Sequence, residues 1–214
     1  MTLAQDLREA EQSRRVKRDP ALTATMDAAV DDVAKSGLAE AGLKVGERAP
    51  DFSLPATKGD VSLSKALRAG PVVLTFYRGG WCPYCNIALQ HLQRSLPEIR
   101  AQGAQLIAVS PQLPDGSLST AEKNGLEFEV LSDVGNEVAR TYNLVFKLPP
   151  SLHAMYGNPE GINLTAANGS DTFELPLAAT YVIKGDGRVA YTFADADYTK
   201  RAEPSEIIGV LKGL

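Results

Sequence analysis

The sequence predicts an α/β fold: a central mixed sheet flanked by helices and preceded by an N-terminal helical arm. Three features predict it. From about residue 46 onward, short runs of branched and aromatic residues alternate with stretches of helical period. One run, Val72-Val-Leu-Thr-Phe76, is apolar throughout, as in a strand covered on both faces. Two late runs lie close enough for a hairpin, so that a parallel half of the sheet is followed by an antiparallel half. With 214 residues, 44% of them hydrophobic and 22% charged, one sizeable core with an appendage is the expected scale.

The arm comes first. Leu3 and Leu7 share a helical face, Asp19-Pro20 reads as a cap followed by a first-turn proline, and Leu22, Met26, Val30 and Val33 recur at helical spacing. This amphipathic segment, residues 1–45, is expected to pack on the domain or on a second subunit in a homodimer. Residues 46–214 form the domain. It opens with Ala49-Pro-Asp-Phe-Ser-Leu54 and a turn at Lys58-Gly-Asp60, and Gly70-Pro71 precedes the buried strand 72–76. Ile87, Leu89, Leu92, Leu96 and Ile99 then mark a helix running to Gly103, and Leu106-Ile-Ala-Val109 a second strand, completing a βαβ unit. A helix over 117–124, a strand over 128–131 and a helix over 136–142 after the Ser132-Asp133 cap follow. Residues 143–175, rich in Pro, Gly and Asn, read as an insertion with a hairpin tip at Asn168-Gly169. Thr180-Tyr-Val-Ile183 and Val189 to Phe193 form a hairpin about Gly185-Asp-Gly187, and a last helix spans Pro204 to Leu211. Strand, helix, strand, helix, strand, helix, hairpin, helix is the thioredoxin topology.

Composition narrows the function. A net charge of −4 and scattered basic residues disfavour nucleic-acid binding. No apolar run approaches the roughly 20 residues needed to span a bilayer, and the charged amino terminus has no apolar signal core, so no membrane role and a cytoplasmic location are expected. The only two cysteines, Cys82 and Cys85, lie together instead of closing a long loop, which points to chemistry.

They stand in Phe76-Tyr-Arg-Gly-Gly-Trp-Cys-Pro-Tyr-Cys85, between a buried strand and a helix. That placement puts both sulfurs at the helix amino terminus, where unpaired N–H groups and the helix dipole favour an anion. A free thiol has a pKa of roughly 8.5, and such a setting lowers it toward or below neutrality. Pro83 presets a helical φ where no hydrogen bond is lost. A zinc site would have to recruit His91 and His153, neither of which has a second Cys or His at ligand spacing, so no metal and no other cofactor is expected.

Several blocks in order, Gly46-Glu-Arg-Ala-Pro-Asp-Phe-Ser-Leu54, Gly70-Pro-Val-Val-Leu-Thr-Phe-Tyr77, Gly103-Ala-Gln-Leu-Ile-Ala-Val-Ser110 and Thr180-Tyr-Val-Ile183 before Gly185-Asp-Gly187, resemble the AhpC/TSA (peroxiredoxin-like) branch of the thioredoxin superfamily. The resemblance runs from Gly46 to the carboxyl end. Laying the family's Pro-x-x-x-Thr-x-x-Cys signature on this chain puts Cys85 at the peroxidatic cysteine, Cys82 at the threonine and Arg78 at the proline, so a glutaredoxin-like Cys-Pro-Tyr-Cys sits in a peroxiredoxin-like frame. The family's arginine before the late strand falls on Ala178. Arg78, beside a glycine-rich turn, is then the nearest cation for the site, or an exposed arginine without catalytic duty. The proline that such folds hold in cis before the late strand is also displaced: Pro176 is too early, Ala178 and Ala179 stand nearer the place, and a trans loop is expected because a non-proline cis bond costs about 2.5–4 kcal/mol.

The resemblance implies an antioxidant thiol oxidoreductase that reduces hydroperoxides through a Cys82/Cys85 dithiol–disulfide cycle recharged by a thioredoxin or glutathione system. Two other readings stay open: a disulfide reductase with Cys82 as nucleophile and a disulfide as substrate, and a redox sensor or adaptor without rapid turnover. Tyr77, Arg78, Trp81, Tyr84 and Thr180 are the candidates for contact with substrate, with Asn86 as a further neighbour.

Overall fold

The computed structural model describes residues 2–56 and 59–214. Two helices, α1 (Leu3–Lys17) and α2 (Pro20–Lys35), and the short α3 (Leu38–Ala41) make up the arm. The boundaries follow the capping chemistry. Thr2 accepts from Gln5 N while the Gln5 side chain accepts from Thr2 N, a reciprocal box at the start of α1. Asp19 accepts from Ala21 N at 2.7 Å and from Leu22 N at 3.1 Å ahead of Pro20. The arm lies on the domain of its own chain: α1 packs against α5 (Pro83–Ala101), with Leu3 and Leu7 buried.

The domain contains β1 (Ser53–Ala56), β2 (Gly59–Ser62), α4 (Leu63–Leu67), β3 (Val72–Phe76), α5, β4 (Gln105–Ser110), α6 (Pro114–Asn124), β5 (Glu129–Ser132) and α7 (Glu137–Thr141). Then come β6 (Val145–Lys147), α8 (Pro150–Tyr156), α9 (Leu164–Asn168), β7 (Glu174–Pro176), β8 (Ala178–Ile183), β9 (Val189–Asp195) and α10 (Pro204–Leu211). The seven-stranded sheet has the order β2-β1-β5-β4-β3-β8-β9; β3, β4 and β5 are parallel, β8 is antiparallel to β3, and β9 is antiparallel to β8. This is the predicted mixed sheet flanked by helices. Successive side chains of a strand point to opposite faces. Val73 and Tyr77 accordingly join the core under α1, α5 and α10, whereas Val72, Leu74 and Phe76 join the core on the other face with Tyr142, Leu144 and Tyr181.

Some local expectations change. The predicted turn at Lys58–Asp60 lies partly outside the described residues, and Gly59 and Asp60 already belong to β2. Asp133 does cap, its carboxylate accepting from Val138 N and Ala139 N at 2.9 Å each, and α7 begins after a turn of 3-10 helix over Val134–Asn136. The hairpin tip at Asn168-Gly169 is not one. Asn163 accepts from Ala166 N, Leu164 is buried, and the segment forms α9, which Gly169 ends at φ +65°. The pairing that closes the insertion is instead β6 with β7, from Val145↔Pro176 to Lys147↔Glu174, and α8 and α9 lie between them. A third core holds this insertion against the arm: Met26 meets Leu148, Leu152, Tyr156, Leu164 and Leu175.

Candidate active site

The central strand β3 delivers the chain to a glycine-containing loop, and α5 receives it. Cys82 is the N-cap of α5, Pro83 its first residue, and Cys85 falls within the first turn. The loop is tight because its glycines leave room for neighbours. Gly79 has φ +142°, and a Cβ there would stand 2.4 Å from Trp81 Nε1; one on Gly80 would stand 2.2 Å from Thr120 Oγ1. Side chains from other elements then fix the loop. Gly80 N donates to Gln112 Oε1 (2.7 Å), Asn86 Nδ2 donates to Gly80 O (2.8 Å), and Asn124 Nδ2 donates to Asn86 Oδ1 (3.0 Å). Asn86 therefore holds the loop.

Both thiols are free and buried, Cys82 at 2% exposure and Cys85 at 0%. Their environments differ. Burial pushes each thiol up, because a thiolate loses its water. For Cys85 that is outweighed by the Cys82 thiol, by the Arg201 guanidinium and by the backbone amide and the charge of Arg78, so Cys85 is held well below the ordinary thiol range. Arg201 Nη2 donates to Cys85 Sγ at 3.1 Å. For Cys82, burial and the negative charge and hydrogen bond of Cys85 add together, and its thiol is pushed well up. Of the two thiols, Cys85 is the lowered one and Cys82 the raised one.

Arg201 was not among the predicted site residues. It belongs to the charged segment Asp195–Glu203 that precedes α10, and its Nη1 is held by Tyr198 O and Lys200 O at 2.6 Å each. No local pattern marks it, since the contact spans 116 positions of sequence. Ala178, on which the family's arginine was expected to fall, opens β8 and is buried. Every peptide bond among the described residues is trans.

The predicted neighbours divide. Arg78 is 3% exposed, contrary to the reading of an exposed arginine; its charge acts to lower both thiols, while its Nη2 donates to the Tyr156 hydroxyl and the rings of Tyr198, Trp81 and Tyr156 lie 4.8, 5.2 and 5.4 Å from Cζ. Trp81 stacks edge-on against Tyr156 at 5.7 Å. Tyr84 donates to Glu11 of the arm and packs on Tyr198 at 5.5 Å. Tyr77 is buried beneath the loop, where burial first, and the Cys85 charge in the same sense, push its hydroxyl up to about 12. Thr180 is bound through its hydroxyl to Thr75 at 3.1 Å, which places it in the sheet below the site. His91 is bound to Asp6 (2.7 Å), and His153 to Leu148 O (3.0 Å).

Two openings flank this cluster. A cavity of about 30 Å³ beside Arg78 is walled by Met26, Leu152, Tyr156, Ala178 and Tyr198. A groove of about 520 Å³ between α1 and the segment after β9 is walled by Leu7, Arg8, Arg15, Phe193, Lys200 and Arg201. No helix among the described residues is long and apolar enough to cross a membrane.

Comparisons with known proteins bear on the family and the fold. The chain is 28% identical to peroxiredoxin Bcp of Escherichia coli K12 over 102 residues, 48% of this chain and 65% of that protein. It is also 28% identical to the thiol-disulfide oxidoreductase ResA of Halalkalibacterium halodurans over 102 residues, 47% of this chain and 57% of that one. These matched segments span less than two thirds of either relative. Among solved structures, the peroxidoxin BcpB of Mycobacterium tuberculosis superposes with a TM-score of 0.63 at 22% identity, covering 80% of this chain and 98% of the other, a likeness of fold. The sequence model of the AhpC/TSA family matches residues 45–192, from the residue before Gly46 through most of β9, and the chain therefore belongs to the AhpC/TSA family.

Proposed function

We propose that this chain is a thiol-dependent peroxidase in which Cys85 is the peroxidatic thiol and Cys82 resolves it. The observation that carries the reading is the inequality of the two sulfurs: Cys85 Sγ accepts from Arg201 at 3.1 Å and its thiol is held well below the ordinary range, while the Cys82 thiol is pushed up. The thiolate is the nucleophile. It attacks one oxygen of a hydroperoxide, an S–O bond forms as the O–O bond breaks, and the departing oxygen takes a proton from water. Cys85 is oxidised to a sulfenic acid and the peroxide is reduced to water or an alcohol. The Cys82 sulfur then attacks the Cys85 sulfur, an S–S bond forms and water leaves. An external thiol of the thioredoxin or glutathione type returns both cysteines to thiols and is itself oxidised to a disulfide. Family membership and the name of Bcp support this chemistry. A cytoplasmic setting, where such reductants keep thiols reduced, suits it.

The likeness to ResA favours a second reading, a disulfide reductase attacking through Cys82 at the N-cap. A thiol pushed well up is poorly suited to begin that reaction. Rapid mixing of reduced protein with hydrogen peroxide, followed through Trp81, the only tryptophan, separates the two. A fast signal in the native protein and in Cys82→Ser, absent in Cys85→Ser, is expected. A slow signal, together with rapid reaction toward a disulfide that is lost in Cys82→Ser, would replace the peroxidase by the reductase.

A further inference from the structure

We infer that Arg201 is the catalytic cation of this site, standing where the family's arginine is absent at Ala178. The inference rests on the peroxidase reading of Cys85 and goes beyond it, since that reading needs a thiolate but does not say which group stabilises the charge that develops during O–O cleavage.

The two candidate cations are distinguished by where their donors go. Arg78 is closer in sequence and its charge also acts to lower both thiols, yet its Nη2 donates to the Tyr156 hydroxyl and its guanidinium lies against three aromatic rings, and no side-chain hydrogen bond joins it to either sulfur. Arg201 is oriented from behind. Its Nη1 donates to two backbone carbonyls at 2.6 Å, and Nη2 is presented to Cys85 Sγ at 3.1 Å. Backbone acceptors fix the plane of the guanidinium without neutralising it. Among the described residues no carboxylate forms an ion pair with Arg201. Its full charge is therefore available to the sulfur, and a planar fork with five donors can serve a second acceptor beside the first.

Position completes the case. Arg201 is at once a partner of the buried sulfur and part of the wall of the 520 Å³ groove under α1, the larger of the two openings beside the cluster. The groove thus comes to within one side chain, Arg201, of the buried Cys85 sulfur. As the S–O bond forms and the O–O bond breaks, negative charge leaves the sulfur and appears on the departing oxygen. A fixed cation beside both atoms stabilises the thiolate before reaction and that oxygen during it.

The test uses the full chain in three variants, Arg201→Ala, Arg201→Lys and Arg78→Lys, each read two ways. The midpoint of Cys85 ionisation is followed by the ultraviolet absorbance of the thiolate in a Cys82→Ser background, and the rate of reaction with hydrogen peroxide by Trp81 fluorescence. In Arg201→Ala the midpoint is expected to rise by about 1–3 pH units. At a pH high enough to ionise Cys85 fully, its peroxide rate is expected to remain about 10²–10³-fold below that of the native protein, the usual loss for one such donor. Arg201→Lys recovers part of both, because it keeps the charge without the fork, and it stands in if the alanine variant does not fold. Arg78→Lys leaves the midpoint nearer the native value than Arg201→Ala does. An unchanged midpoint and rate in Arg201→Ala, or a larger loss in Arg78→Lys, overturns the assignment. Failure of the peroxidase reading itself looks different: the native protein would react slowly with peroxide, while the thiolate midpoint would still report the Arg201 contact.

Discussion

At the scale of single residues, the site sets burial against charge. Taking a thiolate out of water is unfavourable, and at 0% exposure Cys85 meets that cost in full; a guanidinium at 3.1 Å, a neighbouring thiol and a backbone amide reverse it. The same burial acts on Cys82 with the Cys85 charge added to it, and separates the two thiols in the opposite sense. The sign for pH dependence follows. A thiol whose folded pKa is depressed stabilises the fold fully above the unfolded value of about 8.5 and loses that contribution as pH falls through the folded midpoint. Reactivity follows the same ionisation. Alkylation of the reduced protein at Cys85, measured by mass after timed quenching, is expected to persist to a lower pH than that of an ordinary thiol. A rate that instead drops steadily below about pH 8.5, as an ordinary thiol would, counts against a depressed Cys85.

Among the elements, α1 belongs to the site although it precedes the family-matched region. It reaches the motif through Glu11, which accepts from Tyr84, and reaches α5 through Asp6 and His91. Its amino terminus is tied to the far end of the chain, where the Glu203 carboxylate accepts from Ala4 N at 2.6 Å and Leu3 N at 3.3 Å. A carboxylate at that place meets both the orphan N–H groups and the positive end of the helix dipole. Glu203→Ala is expected to lower stability by about 0.5–2 kcal/mol in urea denaturation. It also loosens α1, so that trypsin cuts sooner after Arg14, Arg15, Lys17 and Arg18 in the last turn and at its end. Equal stability and equal cleavage would mean that the apolar contacts of Leu3 and Leu7 hold the helix without the cap.

Across the whole molecule, three cores meet near the thiols. Those on the two faces of the sheet support β3 and α5, and the third joins α2 to the insertion. That third core carries the aromatic box, because Tyr156 ends α8 and both binds and stacks on the buried Arg78. Leu175, fully buried in β7, is the test of this connection. Leu175→Ala is expected to cost about 2–5 kcal/mol from lost burial and the cavity left behind. If the insertion supports the box, Trp81 fluorescence of the reduced variant shifts under native conditions before any unfolding. A destabilised protein with unaltered fluorescence would confine the insertion to a packing role.

Taken alone, the sequence determined the order of elements from β3 to α7 and from β8 to α10, the caps at Asp19 and Asp133, the first-turn proline at Pro83 and the first-turn thiol pair. These are written in nearest-neighbour chemistry: a run of five apolar residues, a proline at a helix start, two cysteines three apart. Tertiary structure alone decided which sulfur carries the charge, because Arg201 acts from 116 positions away inside a charged segment with no local signature. It also decided the fold of residues 143–175. Their short helices and strands bury few residues each and are stabilised by one another and by Met26 of the arm, so periodicity within the segment had little to show. Arg78 illustrates the same limit: its place in the motif was legible, but the direction of its guanidinium depended on Tyr156 and Tyr198, which come from two other parts of the chain.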